Sequence, residues 1–514
     1  MKKIYLNGLI LMVLCNASFG QIANYQHEFN NVGAKITNAG VLFQDVTAID
    51  AGYEIPKHSG LFTLFNLSFW YAGLDGADQL KLSGTTYTPH SDLFPGPLST
   101  TGGAEASPEG GSDLIYLASK TEIDFHKENW DLPGYEVPSN IENWPAHGDV
   151  DLEQDFYLAP FIDANHNSVY DPENGDYPDI RGDFASYAIM NDKLYFHSQT
   201  GGAPIGIEVH QMVYVYAYED YLNNTVFIHN RLINRSTQTL FDFRSGVFMD
   251  PDIGDPTDDF MGVNVENNVA FGYNGDDLDE DYGAQPPAIG VVSLNREVDY
   301  FAPMDIFVGP RGMPSNQFDY YNYMNGHWPD ENPFTYGGAG FGGDSIISYV
   351  YDGNPNNPEG WSELANGNAP HDVRGVMSHA IDVLLPQDEL CFDYAVVYSR
   401  EGSFVENVQG VIDLSAEVKA FYDDFGYDCE MNTIGIKKRD KSNFSIYPNP
   451  SNGQFTVEGK KGFDLEVLSM DGRIMFQTKS LKEVEYLELD LAKGTYVVRV
   501  LKDGEEYNSL LIIQ

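Results

Sequence analysis

Hydrophobic and polar residues follow one another along most of this chain in short runs bounded by Gly, Asp and Asn, not in long helical stripes. "AGVLFQDV" (39–46) and "GLFTLFNLSFWYAGLD" (60–75) have the composition and length of strands. "EVHQMVYVYAYEDYLNNTVFIHNRLIN" (208–234) places the turn signal Asn223-Asn224 between two aromatic and β-branched runs and predicts a hairpin. "CFDYAVVYSRE" (391–401) predicts one more strand. One segment breaks the pattern. In "VENVQGVIDLSAEVKAFYDDFG" (405–426), Val408, Val411, Ile412, Leu414, Val418 and Phe421 recur at helical spacing.

Composition agrees with a mainly β chain. Among 514 residues there are 33 Tyr, 31 Phe, 50 Gly and 27 Pro, but only 29 Lys and Arg. Long amphipathic helices draw on Ala, Leu, Glu and Lys, so this mixture favours aromatic strands joined by turns. The expected body is an acidic β-sandwich, or two of them.

The chain opens with "MKKIYLNGLILMVLCNASFGQ": basic Lys2 and Lys3, an apolar run, then small residues up to Gly20. That pattern predicts a secretory signal peptide over 1–20. Leu14 before Cys15 is bulky where a lipid-attachment site wants a small residue. No later apolar run approaches the roughly 20 residues needed to span a bilayer, so no transmembrane segment is expected. With the signal removed two cysteines remain, Cys391 and Cys429, and an even pair in an exported protein suggests a disulfide.

A secreted β-rich body is assigned to 21–434 and a basic polar linker, "GIKKRDKSN", to 435–443. Residues 444–514 carry several short strands with turns at Asn452-Gly453, Asp471-Gly472, Lys493-Gly494 and Asp503-Gly504, which predicts a small immunoglobulin-like β-sandwich. "YPNPSNG" (447–453), "LSMDGRIM" and "LAKGTYVVRV" together resemble the type A C-terminal sorting domain of the type IX secretion system of Bacteroidetes. The resemblance rests on Tyr447, Pro448, Asn449, Pro450, Gly453, Gly472, Gly494 and Tyr496. It implies recognition by the type IX secretion machinery, export through the periplasm, and an extracellular or outer cell-surface destination. Blocks of the body such as "FWYAGLDGADQL" and "WPAHGD" resemble exported proteins carrying the same tail, a likeness that transfers no catalytic residue.

Charge narrows the partners. Of 77 acidic and 29 basic side chains, 65 and 15 fall within 21–434. A body this acidic repels phosphate backbones, so no nucleic-acid partner is expected. It suits a protein that holds divalent cations. "DANHNSVYDPENGD" (163–176) has the rhythm of a calcium loop: Asp163, Asn165 and Asn167 at positions 1, 3 and 5, the Val169 carbonyl at 7 and Asp171 at 9. Position 12 is Asn174, so Glu173, Asp176 or water closes the cage. The expected cofactor is a structural Ca²⁺; a solvated turn whose Asp and Asn side chains bond their own backbone is the competing reading. A second cluster, Asp250, Asp252, Asp255, Asp258 and Asp259, lacks regular spacing and meets Asp276 and Asp277 only through folding. A cation there would relieve like-charge repulsion; a solvated acidic face is the alternative.

No HExxH and no GxSxG occurs. The Gly-rich 337–343 lacks the Lys-Ser/Thr of a phosphate loop, and with 65 acids in the body no catalytic pair can be singled out, so catalytic residues stay unknown. His197, His210, His229, His371 and His379 read as core or surface residues. Trp130, Trp144, Trp328 and Trp361 suit sugar stacking or a β core equally. The sequence therefore points to a secreted or surface, calcium-stabilised, adhesin-like protein of non-catalytic role that binds surface glycan or protein. The alternative is an extracellular polysaccharide hydrolase using paired carboxylates.

Overall fold

The structure is a computed structural model. It describes residues 23–101, 114–218, 220–306, 309–427 and 429, and most of the strands between 444 and 513. The expected signal peptide and linker lie outside the described residues. Contacts divide the chain into two units, 1–434 and 435–514.

Two nine-stranded antiparallel sheets build the body. The first orders Asn24–His27, Gly33–Thr37, Val41–Leu42, Phe62–Leu74, Leu240–Pro251, Val373–Leu384 and Tyr300–Asp305, with Tyr53–Glu54 and Leu80–Gly84 off this path. The second orders Tyr116–Ser119, Phe184–Asn191, Ile207–Val215, Val226–Asn234, Glu389–Ser399, Ala288–Ser293, Val269–Asn274 and Asp259–Asn264, with Phe94–Pro95 beside Phe184–Asn191. The 208–234 hairpin forms, its strands pairing Ile207 with Asn234 and Tyr214 with Phe227.

Strand periodicity explains how the layers stack. In Phe62–Leu74, Leu67, Phe69 and Tyr71 enter the core between the sheets, while Trp70 and Ala72 enter a second cluster on the far side. In Glu389–Ser399, Phe392, Tyr394 and Val396 face the first sheet and Ala395 and Val397 face outward. Both sheets are thus buried on two faces, which is why their strands read as nearly continuous apolar runs and not as clean alternation.

The outer face of the second sheet is covered by the helix Phe404–Phe425, which Ser403 and Glu406 start with a reciprocal capping box. Val408, Val411, Val418 and Tyr422 from it join that core, each contributing about 1.5–3 kcal/mol if buried fully. The helix approaches closely at Gly290, where a Cβ would stand 2.5 Å from Val411 Cγ1. On the first sheet's outer face Tyr320, Tyr323 and Met324 of the helix Gln317–Met324 pack with Trp328, Phe334 and Val350. That helix and Lys120–Asn129 carry little amphipathic signal, one being aromatic all round and the other burying only Ile123 and His126.

The C-terminal unit holds a three-stranded and a four-stranded antiparallel sheet. Phe455, Val457 and Leu487 from one and Leu465, Val467, Val498, Val500 and Leu511 from the other share a core. Cys391 and Cys429 are disulfide-bonded.

Candidate metal centres

The short strand pair Phe161–Ile162 and Tyr177–Pro178 brings the ends of the 163–176 loop together. Between them the chain coils around its own side-chain oxygens. Asp163 accepts from the backbone N–H of Asn167 (3.2 Å) and Ser168 (2.8 Å). Asn165 Oδ1 accepts from Asn167 N–H and Asn167 Oδ1 from Val169 N–H, at 3.0 and 2.8 Å. His166 and Ser168 take positive φ, which tightens the coil. The amides of Asn165, Asn167 and Asn174 all donate to the Asp171 carboxylate, at 2.8–3.0 Å.

Of the two acids expected to close the loop, Glu173 is exposed and Asp176 is buried. Asp176 accepts from Ala164 N–H (2.8 Å) and Asp171 N–H (2.9 Å), so it spans the loop from its first residues to its last. Burial raises its pKa to about 6. Burial also acts to raise Asp171, but the donated amides more than offset it and hold that carboxyl below its ordinary value. His147 pins the loop from outside: its Nδ1 donates to the Phe156 carbonyl and its Nε2 accepts from Tyr170 N–H at 2.7 Å. Asp163 and Asp176 are thus buried at the base of the loop, Asp171 is half-buried, and Asn165, Asn167 and the Val169 side chain are exposed. The oxygens of Asp163, Asn165, Asn167 and Asp176 each keep a further lone pair beyond the hydrogen bond they accept, whereas Asp171 Oδ2 accepts two.

The 250–259 acids separate into two groups. Asp250, near the end of Leu240–Pro251, is fully buried; its Oδ2 accepts from Tyr87 Oη (2.6 Å) and its Oδ1 lies 3.2 Å from Arg374 Nε. Arg374 also donates from Nη1 to the carboxylate of Asp372. Asp250, Asp252 and Asp372 each offer a carboxylate oxygen, and these oxygens lie within 4.8 Å of one another. Asp372 escaped the sequence reading because it is remote in the chain; the pairing of Met249 with Gly375 delivers it to the site. Burial raises Asp250 to about 7 and Asp252 to about 8.

Asp255 and Asp258 belong elsewhere. Asp255 caps its own turn by accepting from Thr257, and its N–H donates to Asp279 Oδ2 at 2.9 Å. Burial, then Asp279 and Asp255, raise Asp258 to about 6. Asp259 is fully enclosed between the two groups. Asp276 and Asp277 do not join: one accepts from Leu278 N–H, the other from Phe404 N–H at the start of the long helix.

Of the four tryptophans, Trp144 and Trp328 are core residues, donating to the carbonyls of Pro160 (2.8 Å) and Gly340 (3.0 Å), and Trp361 is partly buried. Trp130 alone is exposed, and its ring covers Gly175 of the loop. His197, His210, His229 and His379 are buried, and His371 pairs with Asp305 at 2.8 Å.

In the tail, Gly453 has φ 99° and sits where a Cβ would stand 2.5 Å from the Leu489 carbonyl oxygen, so only glycine fits that turn. Tyr496 Oη donates to Ala492 O at 2.8 Å, and Gly494 opens the strand Gly494–Lys502. Tyr447 ends Phe444–Tyr447; Pro448, Asn449, Pro450 and Gly472 lie outside the described residues.

Residues 445–514 match the secretion system C-terminal sorting domain. That tail marks the chain for export to the cell surface or extracellular space through the type IX machinery. No described helix is long and apolar enough to cross a membrane. No curated protein sequence matches the chain. Among solved structures, a polysaccharide lyase aligns at 7% identity and a TM-score of 0.20, over 60% of this chain and 34% of its own. PorZ, described as an essential bacterial surface component of the type-IX secretion system of Porphyromonas gingivalis, aligns at 9% identity and 0.14, over 96% and 59%. The chain therefore spans about a third of the lyase and three fifths of PorZ. Neither is similar enough to carry over an activity.

Proposed function

We propose that this protein is a surface-displayed or released binding protein of adhesin-like, non-catalytic role, whose β body is stabilised by calcium at the 163–176 loop. The sorting tail supports the destination. The observation that carries the calcium reading is the burial of Asp163 and Asp176, at 6% and 0% exposure, at the base of a loop whose outer Asn165, Asn167 and Asp171 are hydrogen-bonded to one another. Calcium takes six to eight oxygen ligands, and this loop offers carboxylate and amide oxygens together with the Val169 carbonyl.

The binding role is supported by what surrounds the loop. Phe125, Trp130 and Leu132 are exposed at 56%, 38% and 51% on or just beyond the helix Lys120–Asn129, and Trp130 adjoins Gly175. An aromatic face held by a rigid loop suits a sugar ring or an apolar protein surface. Both outer faces of the sandwich are covered, which leaves such loop surfaces and sheet edges for partners.

Calorimetric titration of the purified chain with calcium, with thermal melting in calcium and in EDTA, tests the reading. Asp163→Ala is expected to remove one bound calcium and to lower the melting temperature more in calcium than in EDTA, where only the Asn167 and Ser168 hydrogen bonds are lost. An Asp163→Ala chain that binds as many calcium ions as the parent sinks it. Cells making the chain without 444–514 should retain the body instead of displaying or releasing it.

A further inference from the structure

A second cation position lies at the end of the first sheet, separate from the loop. We propose that Asp250, Asp252 and Asp372 form a binding site for a hard divalent cation, with Asp259 as its enclosed fourth carboxylate. Their convergence joins three segments: the end of Leu240–Pro251, the turn that follows it, and the residue that precedes Val373–Leu384.

The oxygens there lack donors. Asp252 Oδ1 and Asp259 Oδ1 are shut off from solvent without a hydrogen-bond partner, and Asp250 Oδ1 has only the Arg374 ion pair. Asp259 is 0% exposed, and its contacts place it beside the segments that carry Asp252 and Asp372. Ile253 N–H, next to Asp252, donates to Asp259 Oδ2 at 3.0 Å, and His371 N–H, next to Asp372, donates to the Asp259 carbonyl at 3.1 Å. An enclosed acceptor without a donor costs about 1–3 kcal/mol, more for a charged group, and a bound cation removes that penalty.

Charge and chemistry agree. Asp250, Asp252 and Asp372 meet one guanidinium, Arg374, which leaves two negative charges unbalanced. Arg374 and Tyr87 lie against Asp250 and orient it, as residues behind a metal ligand do. An all-oxygen carboxylate set selects calcium or a similar hard ion over zinc or copper. The ion would fasten the 252–258 turn to two neighbouring strand ends.

Calcium titration of the full chain carrying Asp163→Asn isolates this site from the loop. That chain is expected still to bind calcium and to melt higher with it. Adding Asp252→Asn, or separately Asp372→Asn, should weaken this binding roughly tenfold or more, while Asp255→Asn leaves it unchanged. Asp372 is partly exposed, so its variant serves if Asp252→Asn fails to fold. The proposal is overturned if the Asp163→Asn chain binds no calcium, or binds it equally with and without Asp252 and Asp372. The loop reading fails on a different result, an unchanged calcium count on replacing Asp163.

Discussion

Replacing Asp393 is expected to be among the most damaging single changes in the body. Asp393 and His229 sit opposite each other on paired strands. Arg181 reaches Asp393 Oδ1 from just beyond the 163–176 loop at 2.7 Å, and His229 Nδ1 donates to the same oxygen at 2.7 Å. Tyr422 of the long helix and Asn295 donate to Oδ2 at 2.6 and 2.9 Å. The group is a polar staple through three layers, and the Arg181 and Asp393 side chains are only 3% and 1% exposed. Burial alone would raise the Asp393 carboxyl; His229 and Arg181 outweigh it and bring it down to about 2 from 3.8. At 1.36 kcal/mol per pKa unit that depression is worth roughly 2 kcal/mol. Because the folded value is the lower one, the contribution is present above about pH 4 and is lost as pH falls towards 2. Asp393→Ala goes further, since it leaves Arg181 without its carboxylate, and should cost about 3–5 kcal/mol. Urea unfolding at pH 7, followed by near-ultraviolet circular dichroism, measures the loss. Asp393→Leu combined with Arg181→Met should recover the part due to the stranded guanidinium, while His229, Tyr422 and Asn295 still lack their acceptor. A loss below about 1 kcal/mol, or a double variant no better than Asp393→Ala, would refute the reasoning.

Other expectations follow from single contacts. Reducing the Cys391–Cys429 disulfide, whose partners are 38 residues apart, should lower stability by about 4 kcal/mol on the chain-entropy account, measured as the urea midpoint with and without reductant. Burial lowers His379 to about 4, so the unfolded chain binds its proton first; stability should be intact above about pH 6.5 and fall by about 3 kcal/mol on the way to pH 4. A pH titration of unfolding that keeps the same slope in His379→Gln would contradict this. Gly290→Val should cost about 1–3 kcal/mol or more by forcing the helix off the second sheet, and the helical ellipticity lost on urea unfolding should then come earlier.

The legible and illegible parts of this molecule divide along a physical line. Local patterns were readable: the 208–234 hairpin, the helix Phe404–Phe425, and the coiled turn at 163–176 whose side chains bond their own backbone. The two-sheet body was legible as a class, because its strands are short, aromatic and turn-bounded. Sheet order was not, since it pairs strands as distant as Phe62–Leu74 and Leu240–Pro251, and no local propensity encodes that choice. The second acidic site shows the same limit. Asp250 and Asp252 could be marked from composition, but Asp372 joins them through strand register and Asp255 leaves through a local cap. Choosing Asp176 over Glu173 likewise required knowing which of two nearby acids the closing strand pair turns inward.

The placement of the arginines shapes the charge that this body presents to its surroundings. Arg181, Arg231, Arg235, Arg311 and Arg374 each hold an ion pair while their own side chains are 3–16% exposed. A third of the 15 basic side chains of the body are thus largely buried, where they pair with buried carboxylates such as Asp393, Glu208 and Glu363. The surface is left with most of the 65 acids and few basic groups among them. A surface of one sign repels itself and repels anionic neighbours, and at an ionic strength of about 0.15 M that repulsion reaches only about 8 Å. Contact with an anionic glycan or a second acidic protein therefore needs either a basic partner face or a divalent ion held between carboxylates. The arginines that pair the interior are thereby withheld from the surface, so cations from solution must screen the acids outside.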